Sequence, residues 1–229
     1  DRVAEIERTS LTPAETPTSA LHVRRLVSVM VVDIRNFTKL TQQLDEKILS
    51  VAIGNWFRQA GTIIRDAGSW VDKYIGDAVM ALWFHGETEV AEREILQIFQ
   101  AVSDLRKMSA DLKNQYPLPF PLHIGAGINT GYAMVGNTGS GDRPDYTAIG
   151  DTVNAAFRLE SCTKEVGADI ALGRSTYTYL AGIEPIQKRF KPVKVNLKGY
   201  EEPVETYIST FEELDQFLLD ELLSDRNNS

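Results

Sequence analysis

The segment LVSVMVVDI, residues 26–34, constrains the fold of this chain more than any other feature of its sequence. It is short, rich in β-branched residues and almost wholly apolar, which is typical of a strand covered on both faces. Its one charged residue, Asp33, stands near the end of the run. We therefore expect a sheet with structure on both sides and a functional reason for this aspartate.

Helical patterns and strand patterns alternate along the following residues. Apolar residues at helical spacing predict one or two helices over 37–68 and another helix over 89–112. Between them, SWVDKYIGDAVMALW predicts two strands joined at Gly76 and Asp77, because Gly supplies unusual backbone angles and Asp tolerates them. This pattern places a second aspartate at a tight turn.

The C-terminal half continues with strands and one more long helix. Residues 117–139 predict strands bounded by prolines and joined by glycine turns. DYTAIGDTVNAAFRLESCTKE predicts a loop that leads into a helix capped by Asp151 or Thr152. A strand at ADIALG, a terminal hairpin and an acidic tail helix follow. This order indicates an α+β fold with a ferredoxin-like βαββαβ core and added C-terminal strands.

Length and composition fit one domain. A chain of 229 residues suits a single well-filled core, and no segment approaches the roughly 20 apolar residues of a membrane span. The polar, proline-containing start lacks a signal region, so we expect 1–22 to be a linker from an upstream regulatory region. We expect 23–210 to form the globular domain and 211–229 an acidic C-terminal tail.

Charge and cysteine content narrow the classes of function. A net charge of −8 argues against a nucleic-acid partner, and an anionic substrate would need a metal ion to shield it. A lone cysteine, Cys162, fits a reducing compartment and a buried thiol. We expect a cytoplasmic domain, and tethering of a longer protein through other regions stays open. The three histidines fit no catalytic or metal-binding spacing.

Two pairs of polar residues are candidates for a site. Asp33 and Asp77 each lie where an extended apolar segment turns, and paired carboxylates there could bind Mg²⁺. The alternative is two turn aspartates bonded to their own backbone. Asn154 and Arg158 are four residues apart and share a helix face. The alternative for them is an ordinary exposed helix surface.

VVDIRNFT, DKYIGDAVM and GDTVNAAFRLE resemble, in this order, the motifs of the class III nucleotide cyclases, and the resemblance runs from about residue 25 to 207. It implies conversion of ATP to 3′,5′-cyclic AMP and pyrophosphate by in-line attack of the ribose 3′-hydroxyl on the α-phosphate. Two Mg²⁺ or Mn²⁺ ions per site would be held by Asp33 and Asp77, and Ile34 would lend a backbone carbonyl.

The same resemblance assigns roles around the substrate. Arg158 would meet the charge that grows on the α-phosphoryl oxygens, and Asn154 would orient the ribose. Because helix starts bind anions, the backbone N–H groups near Phe37 and Thr38 could also bind the β- and γ-phosphates. The alternative is a plain strand-to-helix turn with Asn36 or Thr38 as cap. The triphosphate would further contact Lys198 and Arg143, each of which also fits an ordinary solvated cation.

Two residues match the positions at which the family reads the purine. Lys73 can donate to adenine N1, and the Thr147 hydroxyl can accept from the exocyclic amine, whereas guanylyl cyclases tend to carry Glu and Cys there. Thr147 replaces the more usual Asp, as in a bacterial and cyanobacterial soluble subgroup in which bicarbonate stimulation is known. The alternative is a surface lysine and a strand threonine.

The resemblance also implies an assembly. In the family, the metal half and the half that carries the base and transition-state residues face each other across a dimer. A chain with both halves would therefore form an isologous homodimer with two shared sites. The alternatives are a guanylyl cyclase, which Lys73 disfavours, and a catalytically silent nucleotide-binding dimerisation module. A diguanylate cyclase would need a GG[DE]EF turn, which the sequence lacks.

Overall fold

The computed structural model describes residues 22–137 and 146–227. Its strands are β1 His22–Ile34, β2 Trp70–Ile75, β3 Ala78–Phe84, β4 Ile124–Asn137, β5 Tyr146–Ile149, β6 Ile170–Gly173, β7 Lys191–Val195 and β8 Val204–Ser209. Its α-helices are α1 Phe37–Gln43, α2 Glu46–Asp66, α3 Glu92–Gln115, α4 Asp151–Val166, α5 Arg174–Tyr179, α6 Glu184–Gln187 and α7 Phe211–Asn227.

One mixed sheet contains all of these strands. Its order is β2-β3-β1-β4-β6-β8-β7, and β5 pairs with the end of β4. β1 runs antiparallel to both β3 and β4, whereas β4 and β6 are parallel. The order β2-β3-β1-β4, with helices between β1 and β2 and between β3 and β4, is the ferredoxin-like core. The predicted fold class is therefore confirmed, and so is the C-terminal hairpin of β7 and β8.

β1 is buried on both faces, as its sequence predicts. Met30 and Val32 belong to the larger core, which the residues of α2, α3 and the first half of α7 complete. Val29 and Val31 point to the opposite face and pack with residues of β3, β4 and α4. Because side chains alternate along a strand, Asp33 lies on the α4 face.

The hairpin prediction is confirmed, and the cap prediction is wrong. Ile75 pairs with Ala78 across the turn, where Gly76 has φ of 59°. α4 begins after Gly150, and no side chain caps it. Instead, the Asp151 carboxylate accepts a hydrogen bond from the Tyr200 hydroxyl at 2.8 Å, which attaches the β7–β8 turn to α4.

Glycines within β4 allow α4 to cross the sheet at close range. Gly125 and Gly127 lie inside one continuous strand, so the predicted glycine turns are wrong here. A Cβ on Gly127 would stand 2.3 Å from the Glu160 backbone nitrogen and 2.5 Å from the Ala156 carbonyl oxygen. The glycine is therefore needed for close helix packing, which is the other use of Gly in a strand.

A row of largely buried polar side chains links β1, β4, the residue that follows β3, and the helices α3 and α5. Glu94 contacts His85 Nδ1 at 3.1 Å, His85 Nε2 lies 2.7 Å from Ser28 Oγ, and Ser28 Oγ lies 2.8 Å from Thr130 Oγ1. Thr176 extends the row at 2.9 Å from Thr130. The Glu–His–Ser order resembles a hydrolytic triad, but Ser28 is 0% exposed, so no substrate reaches it. We interpret the row as structural.

Ser28→Ala should lower the free energy of unfolding by about 1–3 kcal/mol, because it leaves buried partners of this row without a hydrogen bond. Ser50→Ala is the matched control, since Ser50 is exposed on α2, and it should change the value by less than about 0.5 kcal/mol. Urea unfolding of the two variants measures the difference. Equal stabilities would show that the row does not contribute.

Candidate active site

The fold brings the two predicted metal aspartates together. Asp33 pairs with Ala78 across β1 and β3, and Asp77 is the residue before Ala78 in the hairpin turn. The Ile34 N–H donates to the Asp77 carbonyl at 3.2 Å. Residues far apart in sequence thus meet because β1 and β3 are neighbours.

Asp33 and Glu160 are carboxylates in a poorly solvated place. The Asp33 side chain is 17% exposed, and Glu160, on α4, is 5% exposed. Burial, then the adjacent Asp77 and the charge of Glu160, raise the pKa of Asp33 to about 7, against the opposing charge of Lys164. Burial likewise raises the pKa of Glu160 to about 7, against Lys164 and Arg35. A positive charge nearby would stabilise the ionised form of both carboxylates and lower their pKa values.

The oxygen donors around Asp33 suit a divalent cation that also keeps water molecules as ligands. Asp33 Oδ1 and Glu160 Oε1 are buried and have no hydrogen-bond partner among the described residues. No group of three or more His, Cys, Asp and Glu residues in 22–137 and 146–227 is arranged to hold a metal ion. Asp33 and Asp77 supply two carboxylates and leave coordination positions for water and phosphate oxygens, which is typical of Mg²⁺ sites.

A cavity of about 640 Å³ opens beside Asp77. It is lined by Ile34, Arg35, Asn36, Phe37, Thr38, Lys39, Gln42, Asp77 and Lys164. Asn36 adopts a left-handed conformation, with φ of 58°, immediately before α1 begins at Phe37. The lining of the cavity thus combines the Asp77 carboxylate, three cationic side chains and the first N–H groups of α1. The cationic residues are Arg35, Lys39 and Lys164. Such a set suits a phosphate-bearing ligand.

Asn154 and Arg158 lie on α4, and Arg158 is close to the turn between β7 and β8. Asn154 is exposed and Arg158 is half-buried. A guanidinium nitrogen of Arg158 lies 3.9 Å from where a Cβ of Gly199 would stand. The exposed Lys198 is next in the same turn. The structure therefore brings Arg158 close to the turn that carries Lys198.

The predicted base-reading residues lie on β2 and β5. Lys73 is half-buried, next to an irregularity in the pairing of β2 with β3. Thr147 is buried and pairs with Gly136 of β4. β2 and β5 are not paired with each other. Arg143 lies outside the described residues.

The candidate residues of one chain form two groups. The cavity beside Asp77 is lined by Ile34, Phe37 and Thr38, but by none of the other predicted substrate residues that the structure describes: Lys73, Thr147, Asn154, Arg158 and Lys198. The shared-site hypothesis stays a prediction.

Glu160 and Lys164 were missed by sequence reasoning. Both lie on α4 in the helical row that includes Ala156, which packs on the sheet. Lys164 Nζ is 3.7 Å from Asp33 Oδ2. The available signal was a glutamate in the apolar stripe of an amphipathic helix, a position that charged residues seldom occupy without a reason.

The raised carboxyl pKa values predict how stability depends on pH in the metal-free chain. The folded state keeps protons on Asp33 and Glu160 up to about pH 7, whereas the unfolded chain releases them near the ordinary pKa values of these groups, 3.8 and 4.5. This contribution to stability is therefore present at about pH 4 and lost as the pH rises through about 7. Glu160→Gln should lose less free energy of unfolding as the pH rises. The difference in stability between this variant and wild type should therefore grow with pH.

Unfolding in EDTA at about pH 5 and about pH 8 measures this effect. Glu165→Gln is the control on the same helix, since Glu165 is exposed, and it should keep the wild-type dependence. Parallel pH profiles for Glu160→Gln and wild type would contradict the prediction.

Comparisons with known proteins show which family this chain resembles. Residues 22–210 match the family model described as adenylate and guanylate cyclase catalytic domain. The chain is 31% identical over 183 residues to an adenylate cyclase of Anabaena cylindrica, covering 80% of this chain and 36% of that protein. It is 30% identical over 185 residues to the terminal-differentiation specific adenylate cyclase of Dictyostelium discoideum, covering 79% and 8%. The chain thus spans well under half of either relative.

Solved structures agree on the fold. The adenylyl cyclase CyaB from P. aeruginosa superposes with a TM-score of 0.67 at 32% identity, over 82% of this chain and 94% of that chain. The guanylyl cyclase Cya2 also gives 0.67, at 24% identity, over 82% and 92%. No helix among the described residues is long and apolar enough to cross a membrane. The match over residues 22–210 shows that this chain belongs to the adenylate and guanylate cyclase catalytic domain family.

Proposed function

We propose that this chain converts ATP to 3′,5′-cyclic AMP and pyrophosphate. The observation that carries the proposal is the pair of adjacent carboxylates, Asp33 and Asp77, with a buried unpartnered oxygen and a cavity beside them. Family membership and the two adenylate cyclase relatives support the same activity.

Asp33 and Asp77 would hold two Mg²⁺ or Mn²⁺ ions with help from the Ile34 carbonyl, as members of this family generally use divalent metals. Bound there, the ions would activate the ribose 3′-hydroxyl and offset the charge of the triphosphate. The chain itself would orient the β- and γ-phosphates through the backbone N–H groups near Phe37 and Thr38, which line the cavity.

The second group of residues would act on the reacting phosphate. Arg158 would donate to the α-phosphoryl oxygens as negative charge grows on them, and Asn154 would orient the ribose. Lys198, in the turn beside Arg158, would bind the outgoing pyrophosphate, and Arg143 would be a second phosphate contact. These interactions strengthen in the transition state, so their loss should lower kcat more than it raises KM.

Lys73 and Thr147 would select adenine. A lysine donates and a hydroxyl can accept, which matches N1 and the exocyclic amine of adenine, whereas guanine presents a donor at N1. The subgroup assignment based on Thr147, and bicarbonate stimulation with it, stays a prediction. Guanylyl cyclase activity is the second candidate that the test below separates.

We further propose that the active unit is a homodimer with shared sites. The proposal is supported by the lining of the cavity beside Asp77, which includes none of Lys73, Thr147, Asn154, Arg158 and Lys198 of the same chain. Each site would take its metal carboxylates from one subunit and its base and transition-state residues from the other. An upstream regulatory region, joined through residues 1–22, would control how this cytoplasmic catalytic unit closes.

The test is to incubate the purified chain with ATP or GTP and Mn²⁺ and to identify the product by mass spectrometry. We expect 3′,5′-cyclic AMP from ATP and little product from GTP, with both lost in Asp33→Asn. Cyclic GMP as the main product would favour the guanylyl cyclase alternative. No cyclic nucleotide from a demonstrated dimer would leave only a silent binding module.

A further inference from the structure

Lys164 lies against the aspartate that we assign to the metal. Its Nζ is 3.7 Å from Asp33 Oδ2, and its side chain also lines the cavity that Asp77 lines. Lys164 stands in the last turn of α4, where a helix dipole favours a cation. The dipole accounts for a lysine at this position, but it does not account for a contact with a carboxylate on β1.

Lys164 offsets charge on more than one buried carboxylate. Besides Asp33, it opposes the negative charge of Glu160, whose Oε1 has no hydrogen-bond partner in the described part of the chain. Carboxylates that are removed from water and placed near one another need a positive charge close by. In the metal-free chain the Lys164 ammonium supplies that charge from a side chain that is 51% exposed to solvent.

We propose that Lys164 is a tethered counter-ion of Asp33, which a divalent ion must displace in order to bind. The inference rests on the proposed function, because it takes Asp33 as a metal ligand. Lys164 then lowers the affinity for metal as long as no nucleotide is bound. Once displaced, its ammonium stays beside the cavity that would hold the polyphosphate, so an anionic ligand favours the displaced position. Metal and nucleotide would therefore bind better together than separately.

The experiment measures Mn²⁺ binding to the full chain without nucleotide at about pH 8, where the carboxylates are ionised, by the electron paramagnetic resonance signal of free Mn²⁺. Lys164→Gln should bind Mn²⁺ about two- to fivefold more tightly, the range expected for a partly exposed ion pair. Lys164→Arg keeps the charge and should bind like wild type. Lys39→Gln is the matched control, because Lys39 lines the same cavity but its ammonium lies 5.7 Å from the Phe120 ring centroid. It should leave Mn²⁺ affinity within about twofold of wild type.

Unchanged or weaker Mn²⁺ binding in Lys164→Gln overturns the inference, and so does an equal gain in Lys39→Gln, which would indicate a general effect of cavity charge. Asp33→Asn separates this failure from failure of the proposed function. If Asp33→Asn loses Mn²⁺ while Lys164→Gln changes nothing, only the counter-ion role fails. If wild type binds no more Mn²⁺ than Asp33→Asn, the metal assignment fails and the inference fails with it.

Discussion

An equimolar mixture of Asp33→Ala and Arg158→Ala chains should recover about a quarter of wild-type activity, although each variant alone should lose at least about 10²-fold. Random exchange of subunits makes about half of the dimers mixed, and each mixed dimer has one intact site of two. The intact site takes Asp33 and Asp77 from one chain and Asn154 and Arg158 from its partner. Cyclic AMP production after mixing and re-equilibration measures the recovery.

A mixture of Asp33→Ala with Asp77→Ala is the control for this experiment. Both substitutions fall in the metal group, so every combination of these chains lacks a complete site. Recovery in this control would show that mixing raises activity for another reason. Activity in the first mixture no higher than in its parents would count against shared sites.

Gly127→Ala should lower the free energy of unfolding by at least about 3 kcal/mol and abolish activity. The added Cβ would meet backbone atoms of Ala156 and Glu160 at 2.5 and 2.3 Å, and neither can move unless α4 moves. α4 carries Asn154 and Arg158 as well as Glu160 and Lys164, so a displaced helix disturbs both groups of the site. Urea unfolding and the cyclase assay measure the two effects.

Gly54→Ala is the matched substitution. Gly54 lies inside α2, and a Cβ there would have no neighbour within 4 Å. Alanine should raise stability by about 0.5–1 kcal/mol, because it has the higher helix propensity. A Gly127→Ala chain as stable as this control would show that α4 tolerates a larger separation from β4.

The strand and helix order could be predicted because its signals are local. The apolar run of β1 and the Gly76–Asp77 turn each depend on a few consecutive residues, and the structure confirms both. Glycines are more ambiguous, since a glycine in an apolar strand marks either a turn or a close approach of another backbone. Which one applies to Gly127 depends on α4, whose position is not a local property.

The candidate site shows the same limit. From their spacing alone, Asp33 and Asp77 could be simple turn residues. The resemblance to the cyclase family predicts that they share a site, and the register of β1 and β3 places them side by side. Glu160 and Lys164 have no separate motif, because their proximity to Asp33 depends on how α4 crosses the sheet. The sequence likewise does not predict the row from Glu94 to Ser28, because its members come into contact only through strand pairing and helix packing.

The most direct measurement of the central claim is specific activity as a function of chain concentration, with the dimer fraction determined on the same samples by analytical ultracentrifugation. A site built from two chains predicts that cyclic AMP formed per chain rises with concentration in proportion to the dimer fraction and vanishes in the monomer. Specific activity that stays constant down to fully monomeric samples would contradict the claim.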